Sequence, residues 1–214
     1  MIFVVRTTLE RELHSSFDQI KFKLLIDRDH KIKEIFIDQL RSICNDDVVL
    51  MEDDIILCRN FENKVKEIID QRPNEIINFF SIPDKYYKSD YRQFVYNQCT
   101  YYPKDILIDI VRFYDRSGMK GILLYPEQFI QRYLRFKKVY TPRPTLVQHI
   151  DNKSILDKRP VPIPRRTPYF IDYLEDLGIS YEEAGTEENT KRLKEYMEEQ
   201  FGNTEKECNI VLHE

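Results

Sequence analysis

Glu52, Asp53 and Asp54 follow directly on the apolar run Val48-Val49-Leu50-Met51 and give way at once to Ile55-Ile56-Leu57. An apolar run with charges at its end reads as a central strand of a parallel sheet, covered on both faces and polar at its carboxyl end. Open α/β sheets bind their ligands there. Along an extended strand Glu52 and Asp54 project to one face, about 6.5 Å apart, and Asp53 to the other. Two carboxylates at that distance repel by about 2–3 kcal/mol at an effective dielectric near 20, so they call for a cation, an Arg or Lys, or backbone donors. Mg²⁺ and Mn²⁺ suit hard oxygen ligands and bind through one or two carboxylates, several waters and the phosphates of a substrate. The competing reading makes Asp53 or Asp54 a cap for the helix expected over Phe61–Ile69.

The elements that must carry these acids follow the same plan. Ile2-Phe3-Val4-Val5 is a first strand ending in the polar tip Arg6-Thr7-Thr8, and Lys23-Leu24-Leu25-Ile26 is a second, ending in Asp27-Arg28-Asp29. With Val48–Met51 as the third, three charged strand tips converge. Helical spacing over Ile32–Ile43 buries Ile35, Leu40 and Ile43, and Phe61–Ile69 is a short helix. Ile76–Phe80 and Tyr96–Tyr102 read as extended, and Pro103 opens a helix through Tyr114. Glu127–Lys137 is a further helix after Pro126, and Thr145–Ile150 is the last strand-like run. A Pro-rich, basic crossing from Asp157 to Pro168 leads to charged helices over Tyr169–Leu177 and Thr186–Phe201. The fold class is therefore α/β, a Rossmann-like mixed and mostly parallel sheet flanked by helices, with a C-terminal helical extension.

Composition narrows the function. With 214 residues, 42% hydrophobic and 33% charged, the chain is sized for one substantial core. A net charge of −4 and a pI near 5.7 argue against a general nucleic-acid binder. Cys44, Cys58, Cys99 and Cys208 show no paired spacing, and no apolar run approaches a membrane span, so reduced cysteines and a cytoplasmic location are expected. The chain contains neither a G-x-x-x-x-G-K-[ST] nor a G-x-G-x-x-G loop. Phe and Tyr are dense between Phe79 and Tyr140, where they either stack on sugar rings or pack a core.

Taken together, the Arg6-Thr7-Thr8 tip, the segment Val49-Leu50-Met51-Glu52-Asp53-Asp54-Ile55-Ile56-Leu57 and the late Leu146-Val147-Gln148-His149-Ile150 resemble the nucleotide-sugar-dependent glycosyltransferases of the GT-A fold. The resemblance covers roughly residues 1–155, leaving 156–214 as the crossing and C-terminal helices on the same domain. It implies a D-x-D-like element at Glu52, Asp53 and Asp54, with Mn²⁺ or Mg²⁺ bridging the diphosphate of a UDP-sugar. Asp54 is the leading metal ligand, with Glu52 and His149 beside it. Thr7, Thr8, Asp27, Arg28 and Asp29 are then expected near the uridine or its ribose, and Arg6, Arg28 and Lys153 near the phosphates. Glu127, at a helix start, is the expected base for the acceptor hydroxyl, and Asn97, Gln98, Thr100, Tyr101 and Tyr102 line the acceptor. More closely, the chain is similar to glycosyltransferase domains that glycosylate the capsids of algal viruses (chloroviruses) and stand at the N-terminus of large multidomain proteins. That implies a glycan or glycoprotein acceptor, further domains, and the host cytoplasm. A nucleotidyltransferase that forms nucleotide sugars is the first alternative, although Arg6–Glu10 lacks the glycine-rich loop of that class. A catalytically inert sugar-binding domain is the second.

Overall fold

The computed structural model describes residues 1–81, 90–94, 97–118, 124–135, 137–150 and 166–201. Seven strands form the main sheet in the order β2-β1-β3-β7-β5-β8-β6: β1 (Ile2–Thr7), β2 (Phe22–Ile26), β3 (Val48–Glu52), β5 (Ile77–Asn78), β6 (Tyr91–Gln93), β7 (Cys99–Tyr102) and β8 (Lys138–Tyr140). The pairs β1–β2, β1–β3 and β5–β8 are parallel, whereas β3–β7, β5–β7 and β6–β8 are antiparallel. Five of the seven strands, all but β6 and β7, thus run the same way, giving the mixed, mostly parallel layout expected. A separate pair, β4 (Ile55–Leu57) and β9 (Val147–His149), forms a small antiparallel ribbon just beyond the end of β3.

Alternation along the strands divides the core. Val4, Val48, Leu50 and Tyr102 face a cluster built with α1 (Ile32–Ile43), α3 (Lys104–Arg116) and α4 (Pro126–Leu134). Phe3, Val5, Val49, Met51 and Tyr101 face the other way, toward α2 (Phe61–Gln71), α5 (Ile171–Leu177) and α6 (Glu187–Phe201). Each helix docks through a one-sided apolar stripe. In α1 the stripe is Ile32, Phe36, Ile37, Leu40 and Ile43, so the face is rotated from the expected one and Ile35 lies outside it. Among the described residues, most of the aromatic stretch is core rather than sugar platform: Phe79, Phe80, Phe94, Tyr101, Tyr102 and Phe129 are buried, and Phe113, Tyr114, Tyr133 and Tyr140 pack against the core.

Two expected strands are shorter than their apolar runs. Phe79 N still donates to Cys99 O of β7 at 2.9 Å, and Asn78 Oδ1 accepts from the Phe80 N–H at 3.2 Å, a local turn that draws the chain away from the sheet beyond that bond. Thr145 leaves β9 because its N–H donates to Tyr169 O, at 3.1 Å, and its carbonyl accepts from Ile171 N. The strand β6 is unexpected; it is only three residues long and largely exposed, without an apolar alternation to reveal it. Helix α5 ends at Gly178, whose φ of 62° is the left-handed conformation glycine adopts without strain. Most of the Pro-rich crossing, with Lys153, lies outside the described residues.

Candidate functional site

The three strand tips do converge. Asp27 N donates to Thr7 O at 2.8 Å, joining the ends of β1 and β2, and Arg6 stands opposite Glu52 in the β1–β3 register. Arg6 Nη2 donates to Glu52 Oε1 at 2.5 Å on the α1 side of the sheet, and its guanidinium lies 5.6 Å from the Phe36 ring centre.

The acid triplet departs from simple alternation. Strand β3 ends at Glu52, and the chain bends through Asp53 and Asp54 before β4 begins. As a result Asp53 and Asp54, rather than Glu52 and Asp54, share a cation. Arg11 Nη1 lies 3.5 Å from Asp53 Oδ1 and donates to Asp54 Oδ2 at 3.0 Å. Glu52 keeps Arg6. Arg11 sits in the loop after β1 and was not foreseen, because nothing in Leu9-Glu10-Arg11-Glu12 marks it apart from its neighbours.

His149 reaches the same carboxylate from far along the chain. Ile55 pairs with His149 across the ribbon and Ile150 N donates to Asp54 O at 2.8 Å, fixing the imidazole beside Asp54. His149 Nε2 lies 3.3 Å from Asp54 Oδ2, in a residue 4% exposed, with the Phe80 ring centre 6.2 Å away. A carboxylate oxygen and an imidazole nitrogen this close together are donors that would suit a small divalent cation such as Mg²⁺ or Mn²⁺. Among the described residues no group of three or more His, Cys, Asp or Glu side chains is gathered as a metal cage. Ions of this class fill the remaining positions with water and substrate phosphate.

Electrostatics tie Glu52 to α4. Burial pushes the Glu52 carboxyl up to about 7 against the pull of Arg6, and the charges of Asp54 and Glu127 push the same way, while that of His149 opposes them. Glu127 is half-buried in the first turn of α4, where the helix dipole favours an acid. Tyr102, raised chiefly by burial, also feels Arg6, Glu127 and Glu52. The base candidate therefore stands at the same end of the sheet as the acids.

The residues expected at the nucleotide are held locally. Thr7 Oγ1 accepts from Leu9 N at 2.9 Å and Thr8 Oγ1 from Glu10 N at 3.5 Å. Asp27 Oδ1 accepts from Lys31 N at 2.8 Å, tying off the start of α1. Arg28 and Asp29 are exposed. The two loops are also clasped by a contact the sequence did not suggest, His30 Nε2 to Glu10 Oε1 at 2.6 Å. Of the residues expected at the acceptor, Asn97, Gln98, Thr100 and Tyr102 are all buried. Tyr101 points to the opposite face and donates to Pro73 O at 3.0 Å, so it leaves that group.

No protein-family model matches this sequence, and no curated protein matches it. Solved structures that superpose on it include two at 11% and 12% identity. The A197 protein from STIV superposes with a TM-score of 0.43 at 11% identity, over 71% of this chain and 87% of that one. A glycosyltransferase involved in the glycosylation of the major capsid of PBCV-1 superposes with a TM-score of 0.43 at 12% identity, over 72% of this chain and 94% of that one. Among the described residues no helix is long and apolar enough to cross a membrane.

Proposed function

We propose that this chain is a metal-dependent glycosyltransferase that moves a sugar from a nucleotide-diphosphate donor, UDP-linked, to a glycan or glycoprotein acceptor, a viral capsid protein being the specific case the sequence resemblance suggests. One observation carries the reading. Asp54 and His149, far apart in sequence, are brought within 3.3 Å at the carboxyl end of the central strand, with a second carboxylate and Arg11 alongside.

In this reading Asp54 and His149 hold Mn²⁺ or Mg²⁺, with Asp53 close by. The bound ion would act as a Lewis acid on the charge that develops on the leaving diphosphate. Arg11, whose guanidinium already faces this anionic corner, turns to the phosphates and contributes fixed positive charge where the leaving group forms. Glu127 takes the proton of the acceptor hydroxyl as it attacks the anomeric carbon, consistent with general-base chemistry at a half-buried carboxylate. Thr7, Thr8 and Asp27 shape the loops beneath the nucleotide through their backbone contacts.

Arg11 also favours a second reading. If its contacts to Asp53 and Asp54 are permanent, the acids are already neutralised and the domain binds sugar without turnover. Incubation with a UDP-sugar panel and Mn²⁺, followed by mass spectrometry, separates the two. Slow release of UDP by the wild type and its loss in Asp54→Ala and His149→Ala support the enzyme. Absence of UDP release across the panel, with and without glycan acceptors, supports the binder.

A further inference from the structure

Among the described residues β2 pairs with β1 alone and forms one edge of the seven-stranded sheet. Its sequence, Phe22-Lys23-Leu24-Leu25-Ile26, carries one charge in five residues. Two of its apolar side chains face water, Leu24 at 44% exposure and Ile26 at 41%. Natural edges are usually blunted by short length, charge, proline or a bulge, because a longer apolar edge invites another strand. The opposite edge follows that rule: β6 is three residues long and includes Arg92 and Gln93. The β2 edge does not.

The backbone shows which groups are open. Alternate residues of a paired strand direct both their N–H and their C=O to the same neighbour. Asp27 N donates to Thr7 O at 2.8 Å, so Lys23, Leu25 and Asp27 bond toward β1, and Phe22, Leu24 and Ile26 direct their backbone groups away from it. The residues with the exposed side chains are therefore among those with the open backbone.

Charge and register select the strand that fits. Lys21 and Lys23 lie at the amino end of β2, and Asp27 and Asp29 follow its carboxyl end. A second β2 laid parallel sets like charges together, whereas one laid antiparallel sets the basic end of each against the acidic end of the other. With Leu24 facing its own counterpart, Phe22 of each copy faces Ile26 of the other, and each of these pairs exchanges two hydrogen bonds. Every open group of the strand is matched. A slip of one residue would set open groups against ones already bonded to β1.

We propose that two copies of this chain associate through β2, antiparallel across a two-fold axis at Leu24, into one continuous sheet. Such an interface is self-complementary, as a two-fold axis requires. Leu24 and Ile26 of both copies then gather into one apolar cluster on a single face of the sheet. The acid-bearing strand ends of the two chains point in opposite directions, so neither Asp54–His149 corner is covered by the partner strand. A seam of this length gives a weak association that depends on concentration.

The test is sedimentation velocity on the full chain from about 10 µM to about 1 mM, with amide exchange followed residue by residue. The mass should rise with concentration from 26.0 kDa toward twice that value. Leu24→Lys, at an exposed position, places like charges across the axis and should weaken the dimer about tenfold or more. Leu24→Pro removes a donor that β1 does not use and should abolish it. Amides of Phe22, Leu24 and Ile26 should exchange more slowly at the higher concentration, and those of Lys23, Leu25 and Asp27 equally at both. The second set also shows that each variant keeps the β1–β2 ladder. A mass of one chain throughout, or a dimer retained in both variants, overturns the proposal. So does equal protection of Phe22, Leu24 and Ile26 at every concentration, which would mean that another part of the same chain covers the edge.

Discussion

At the scale of single residues, the two arginines divide the acids between them. Arg6 holds Glu52, and Arg11 holds Asp53 and Asp54. The Glu52 carboxyl is raised to about 7, first by burial, so the folded chain binds that proton more tightly than the unfolded chain does. Stability from this group is therefore full below the unfolded value and is lost as pH rises toward 7. Thermal melts of the metal-free protein from about pH 5 to about pH 8 should fall more steeply for the wild type than for Glu52→Gln. Parallel profiles would show that Glu52 titrates as it does in water. Arg11 makes a second prediction. Arg11→Ala should lower metal-free stability by about 2 kcal/mol, because two carboxylates lose their counter-charge. The same variant should bind Mn²⁺ more tightly, because the guanidinium no longer competes for Asp54 Oδ2. Weaker Mn²⁺ binding in that variant would mean that Arg11 organises the site rather than occupying it. The acids and His149 were visible in the sequence as residue types at a strand end. Their partition was not, because it depends on a bend after Glu52 that apolar alternation does not encode, and Arg11 depends on which strand lies beside which.

At the scale of elements, legibility followed the strength of the pattern. Helix α1 was placed at Ile32–Ile43 from spacing alone, and Pro126 marked the start of α4 within a residue. The two-residue β5 and the three-residue β6 and β8 carry too few positions for a period to show. The contact that closes the second layer was equally hidden. Asp172, at the start of α5, accepts from the Arg59 N–H at 3.0 Å just before α2, while the Arg59 side chain reaches Glu175 and Asp176. The contact ties the residue before the N-cap of α2 to α5, while the first N–H of α2 itself, at Phe61, donates to Gln19 Oε1 at 3.1 Å. Asp172→Ala should cost about 1 kcal/mol in denaturant unfolding, the net worth of a hydrogen bond. An unchanged midpoint would show that α2 and α5 are held together by their apolar faces alone.

At the scale of the whole molecule, the C-terminal helices share a core with the first strand. Leu193 of α6 is fully buried in the same cluster as Phe3, Val5 and Met51. Leu193→Ala should therefore cost about 2–5 kcal/mol, read as a shift of one cooperative transition. A separate early transition in that variant would mean that α6 melts on its own. The same cooperativity makes ligand binding at the sheet end readable through the melting of the entire chain. The most direct test of the account is the melting temperature with UDP, with Mn²⁺, and with both. UDP and Mn²⁺ together, at about 100-fold the dissociation constant, should add about 2.7 kcal/mol of apparent stability, and neither alone should do so. Asp54→Asn should abolish the effect. A shift of equal size with UDP alone, or one that survives in Asp54→Asn, would contradict the account.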